Sequence, residues 1–156
     1  MSNTSESKPA PRILIVDDDG DVLEVMSKVL ELNGYKPIRA TDGKQGLEAL
    51  RTQKIDLILL DLMMPVMDGF ETLDMIQKQS GMKGVPVIVL SARGEKDSVV
   101  KALKQGAVDY VHKGTDPDEL LARVHVHLTI QQWRQKAMHE YGELIKKEMQ
   151  EKYRIF

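Results

Sequence analysis

The chain has 156 residues, enough for one domain with one sizeable core, and its 42% hydrophobic and 29% charged content is that of an ordinary globular protein. With 22 Lys+Arg against 24 Asp+Glu, the net charge of -2 gives no general electrostatic drive toward nucleic acid or an anionic membrane. The lack of cysteine excludes disulfides, thiolate nucleophiles and Cys-ligated metal and fits a cytoplasmic home, and no apolar run nears the roughly 18 residues of a membrane span.

Residues 1–11, MSNTSESKPAP, are rich in Ser and Pro and read as a disordered leader without a signal-peptide core. From Arg12, short aliphatic runs alternate with amphipathic stretches. Residues 13–16 predict a strand, 22–32 a helix closed by Asn33-Gly34, 35–40 a strand and 46–50 a helix. Residues 55–60 predict a strand, 70–78 a helix ending near Gly81 and Gly84, 85–90 a strand, 96–105 a helix followed by Gly106, and 109–112 a short strand. The first and third strands are continuously apolar, as befits strands of a parallel sheet covered on both faces. The expectation is an open, doubly wound α/β sheet of five strands.

Pro117, with Asp116 as cap, starts a last helix that meets no Gly or Pro before Gly142. If it runs to Phe156 it spans about 60 Å at 1.5 Å per residue. A compact domain of about 120 residues has a radius of gyration of only about 14 Å. The chain therefore divides into a leader (1–11), a domain (12–128) and a projecting helix that serves as linker or dimerisation segment (129–156).

In an open parallel sheet, ligands sit beyond the carboxyl ends of the strands. Here those ends carry Asp17-Asp18-Asp19, Asp61, Ser91-Ala92 and His112-Lys113. If the first and third strands are neighbours, Asp17, Asp18 and Asp61 converge, and each like-charge pair about 5 Å apart costs roughly 3 kcal/mol at an effective dielectric of 20. Such a cluster calls for a cation, and carboxylates without His or Cys suit Mg²⁺ or Mn²⁺. Lys113 and the Ser91 hydroxyl are suited to phosphate oxygens, and a carboxylate can accept a phosphoryl group. Taken singly, the carboxylates read first as loop and cap groups at strand ends, and Ser91 and Lys113 as a turn serine and a solvated lysine. Asp19 reads as a helix cap. His125 and His127, two apart on a helix, cannot chelate together, so no histidine is taken as a ligand.

The motifs in order, IVDDD ending at Asp19, LILLDLMMPVMDGFE from Leu57 to Glu71, VIVLSA from Val87 to Ala92 and DYVHKG from Asp109 to Gly114, resemble the receiver domain of two-component response regulators across about residues 12–128. The resemblance implies a flavodoxin-like sheet of order 2-1-3-4-5. It makes Asp61 the phosphoacceptor, with Mg²⁺ (Mn²⁺ as substitute) bound by Asp18, Asp61 and the Met63 backbone carbonyl, and by Asp17 through water. It implies that Ser91 and Lys113 hold the phosphoryl group, that Ser91 and Tyr110 form the switch, and that Pro65 and Gly69 shape the loop after the third strand. Met63 and Arg93 take the positions that tune phosphoryl lifetime. One departure is Gly114, where the family usually has proline after the lysine.

The function so implied is a phosphoacceptor switch. A sensor histidine kinase or phosphotransfer protein phosphorylates Asp61, and the face of the fourth helix, fifth strand and fifth helix changes shape. The chain is then not a turnover enzyme, and it makes no direct contact with nucleic acid or membrane. An alternative is the N-terminal regulatory fragment of a larger signalling enzyme with a cyclase, phosphatase or kinase output. A hydrolase of the haloacid dehalogenase type would need a second Asp where Met63 stands. Beyond Leu128, Ile130, Trp133, Ala137, Tyr141, Leu144, Ile145 and Met149 follow mostly in steps of three or four, an apolar stripe that predicts a parallel homodimer with an imperfect coiled-coil register.

Overall fold

Isoleucine, leucine and valine fill three of the strands almost without interruption, and such strands fold only where helices cover both faces of the sheet. The computed structural model describes residues 8–64, 67–79, 84–92 and 94–153. Its elements run β1 (Arg12–Val16), α1 (Gly20–Leu32), β2 (Lys36–Ala40), α2 (Gly43–Thr52), β3 (Leu57–Asp61), α3 (Gly69–Lys78), β4 (Val87–Ser91), α4 (Lys96–Lys104), β5 (Asp109–His112) and α5 (Pro117–Tyr153). The strands are parallel in the order β2-β1-β3-β4-β5, as the resemblance implied.

Alternate residues of the central strands feed two cores. Leu14, Val16, Ile58, Leu60, Val87 and Val89 pack under α2, α3 and α4, whereas Ile13, Ile15, Leu57, Leu59, Ile88 and Leu90 pack under α1 and α5. The helix starts are written in the sequence. Asp19 caps α1 by accepting the Asp21 and Val22 N–H groups, Asp42 caps α2 through Gln45 and Asp68 caps α3 through Glu71. Asp116 accepts the Asp118 N–H at the start of α5. Pro11, one residue before β1, already meets the sheet: its carbonyl accepts the Lys36 N–H at 2.9 Å, while residues 1–7 of the expected leader lie outside the described residues.

Helix α5 continues for 37 residues, about 55 Å at 1.5 Å per residue. Its buried residues, Leu120, Val124 and Leu128, all lie in the first third, and from Gln132 every described residue is exposed. On a wheel of about 100° per residue, Val126, Ile130, Trp133, Ala137, Tyr141 and Leu144 cluster on the side opposite Leu120, Leu121, Val124 and Leu128. Most of the projecting stripe thus faces away from the domain that anchors the helix, whereas Ile145 and Met149 turn toward the anchoring side. Among the described residues, no helix is long and apolar enough to cross a membrane.

Candidate functional site

Strand register brings the acidic residues together. Val16 lies opposite Leu60, so the chain leaving β1 delivers Asp17 beside Asp61 at the end of β3. Asp17, Asp18 and Asp61 each offer a carboxylate oxygen within 4.8 Å of the others. Asp17 and Asp61 are 0% and 2% exposed, while Asp18 is open to solvent. Each buried carboxylate is oriented by its own loop: Asp17 Oδ1 accepts the Asp19 N–H at 2.9 Å, and Asp61 Oδ1 accepts the Met63 N–H at 3.1 Å. The close approach that holds the β3–α3 loop depends on Gly69, where a Cβ would lie 2.5 Å from Leu62 Cα and closer still to the Asp61 carbonyl oxygen. The Gly69 N–H donates to the Leu62 carbonyl at 3.0 Å.

Lys113 arrives from β5. Its N–H donates to the Ser91 carbonyl at 2.8 Å, and its ammonium lies 2.9 Å from Asp17 Oδ2 and 3.1 Å from Asp61 Oδ2. Both contacts have ion-pair distances but poor hydrogen-bond angles, so these two buried oxygens lack a well-aligned donor. Gly114 then turns the chain with φ +83°, and among the described residues every peptide is trans. Proline is fixed near -65°, so this loop takes a path that proline at the same position could not follow.

Electrostatics follow from this geometry. Burial pushes the Asp61 carboxyl up to about 6, the neighbouring Asp17 charge adds to the rise, and the Met63 N–H and Lys113 oppose it. Burial disfavours the Lys113 ammonium, yet Asp17 and Asp61 together hold its pKa above the ordinary value. Two buried anions with one cation, and two carboxylate oxygens without aligned donors, fit a hard divalent ion such as Mg²⁺, whose ligands are oxygens.

The remaining candidates occupy the other side of the sheet. Ser91 ends β4, is 1% exposed and belongs to the face covered by α4. Its Oγ lies 3.1 Å from His112 Nδ1. Tyr110, two residues before His112, is exposed and meets the His112 ring edge-on at 5.7 Å. Pro65 and Arg93 lie outside the described residues.

Sequence reasoning missed two contacts. One is the His112 bond to Ser91, signalled only by the direct pairing of these residues across β4 and β5. The other joins Asp109 to Arg123 and to His127 Nε2, both at about 3 Å, and holds β5 to α5. Asp109 sits below its ordinary pKa because His127, the Tyr110 N–H and Arg123 together outweigh burial. None of the histidines belongs to the acidic cluster.

Residues 13–125 match the family described as the response regulator receiver domain. The phosphate regulon transcriptional regulatory protein PhoB of Escherichia coli K12 is 39% identical over 115 residues, covering 74% of this chain and 50% of that protein. The DNA-binding response regulator MtrA of Mycolicibacterium smegmatis is 42% identical over 117 residues, covering 75% and 50%. The chain spans about half the length of these curated relatives. A CheY-like receiver domain protein from Methanospirillum hungatei has a crystal structure with TM-score 0.74 and 30% identity, covering 80% of this chain and 98% of that one. With most of its length matched and the same sheet order beneath the match, the chain belongs to the response regulator receiver domain family of two-component systems, in which phosphorylation and Mg²⁺ binding are general.

Proposed function

We propose that this chain is a phosphorylation-driven switch in which Asp61 accepts a phosphoryl group from a sensor histidine kinase or phosphotransfer protein. The observation that carries the reading is the pair of buried carboxylates, Asp17 and Asp61, whose Oδ2 atoms face one lysine without an aligned donor. Asp18, Asp61 and the Met63 carbonyl would hold Mg²⁺, with Asp17 acting through water. The ion supplies the positive charge that lets an anionic phosphoryl group approach an anionic acceptor.

Lys113 and Ser91 are the remaining phosphoryl partners. Lys113 exchanges its carboxylate contacts for a phosphoryl oxygen, and Ser91 turns from the α4 side of the sheet toward the acceptor. Tyr110 answers that movement, and the face formed by α4, β5 and α5 carries the signal. Met63 stands where a dehalogenase-type hydrolase would place its acid, and a thioether cannot serve as one. The protein acts in the cytoplasm as a parallel homodimer joined along the apolar stripe of α5, with the two receivers adjacent.

Calorimetric titration with beryllofluoride, a phosphoryl mimic, tests the site. Binding is expected only with Mg²⁺ or Mn²⁺ present, and Asp61→Asn and Asp18→Ala are each expected to abolish it. Undiminished binding by Asp61→Asn would assign the acceptor elsewhere.

A further inference from the structure

The parity of β5 separates two neighbours that sequence alone runs together. Val111 points into the core under α1 and α5, so Tyr110 and His112, one residue to either side, belong to the face under α4. Ser91 is directly opposite His112 in the parallel ladder and follows Val89, which packs on that same face. Ser91, His112 and Tyr110 therefore form one column at the carboxyl edge of the sheet. It is linked by the 3.1 Å Ser91 Oγ to His112 Nδ1 bond and the 5.7 Å edge-on ring contact. Tyr110 and His112 also border a cleft lined by Val99, Val100 and Leu103 of α4.

We propose that His112 is a positioning residue of the switch, whose ring holds the Ser91 hydroxyl on the α4 side until Ser91 turns to the phosphorylated acceptor. The inference rests on the phosphoacceptor reading above. Ser91 is buried, so a hydroxyl without a partner there carries a desolvation penalty, and His112 removes it in the resting state. His112 is itself exposed, so water satisfies its ring once Ser91 departs. Breaking this bond is the part of the activation free energy that His112 sets. Because the ring also touches Tyr110, the same departure frees Tyr110 to move.

Beryllofluoride titration in Mg²⁺ reads the effect. A neutral hydrogen bond of ordinary net strength predicts that His112→Ala tightens beryllofluoride binding by about two- to tenfold. His112→Asn, whose side-chain amide can bond to the hydroxyl from a place near that of Nδ1, should stay near wild type. In a Ser91→Ala background, His112→Ala should change nothing, an outcome that loss of packing alone would not give. Unchanged or weaker binding by His112→Ala, or equal tightening with and without Ser91, overturns the proposal. A wild-type chain that ignores beryllofluoride overturns the phosphoacceptor reading instead, which keeps the two failures apart.

Discussion

Replacing Asp61 with Asn should stabilise the metal-free protein, although it removes the residue on which the function rests. Burial and the Asp17 charge raise the Asp61 pKa from 3.8 to about 6. A carboxyl whose folded pKa lies above its unfolded value favours the protonated chain in the native state. Below about pH 3.8 it has no effect; as pH rises toward 6 stability is progressively lost, and above 6 the loss is complete. Each pKa unit is worth about 1.4 kcal/mol, so the loss is at most about 3 kcal/mol and, with solvent relaxation, about 1–3 kcal/mol. For a domain of this size, 1 kcal/mol moves Tm by about 4 °C. Thermal and urea melts in EDTA near neutral pH should therefore place Asp61→Asn above wild type, with the gap closing as the pH falls through the window. Mg²⁺ at about a thousandfold its Kd should reverse the order, because it then stabilises its site by about 4 kcal/mol and the variant has lost a ligand. Equal stability of the two proteins in EDTA at neutral pH, or melts indifferent to Mg²⁺, would refute the electrostatic reasoning.

Gly69→Ala should cost about 1–3 kcal/mol in urea unfolding and weaken beryllofluoride binding, since the new methyl meets the Asp61 and Leu62 backbone and not a side chain that can yield. Full wild-type affinity would show that the loop is not what positions the acceptor. Met63, beside Asp61 and 58% exposed, offers only a weak thioether acceptor to an attacking water, so Met63→Asn should hasten loss of the phosphoryl group; an unchanged or slower rate removes that role. Light scattering at about tens of micromolar should find the full chain dimeric, more tightly so with beryllofluoride, and a chain ending at Leu128 monomeric. Two monomers under both conditions would dispose of the α5 pairing.

Much of the architecture is legible because its signals are local. Continuous apolar runs at residues 13–16 and 57–60, and caps at Asp19, Asp42, Asp68 and Asp116, lie within a few residues of the elements they define. Element ends are less legible where a tertiary bond decides them. The expected strand at 85–90 is observed as Val87–Ser91, because Pro86 has no N–H to donate and Ser91 finds a ladder partner in His112. The expected helix at 46–50 is observed as Gly43–Thr52; the Asp42 and Gln45 spacing, a capping pattern, carried that signal. Asp17, Asp18 and Asp61 could be grouped from strand ends alone. The ammonium of Lys113 against Asp17 and the ring of His112 against Ser91 could not, because each depends on a register between strands far apart in sequence.

Locating the phosphoryl group tests the central claim most directly. The purified chain, incubated with acetyl phosphate and Mg²⁺, should gain one phosphoryl group by intact mass, and peptide mapping should place it on Asp61. EDTA, Asp61→Asn and Asp18→Ala should each prevent the gain. A phosphoryl group found on another residue, or acquired equally in EDTA, would contradict the assignment of Asp61 and its neighbours as a metal-dependent phosphoacceptor site.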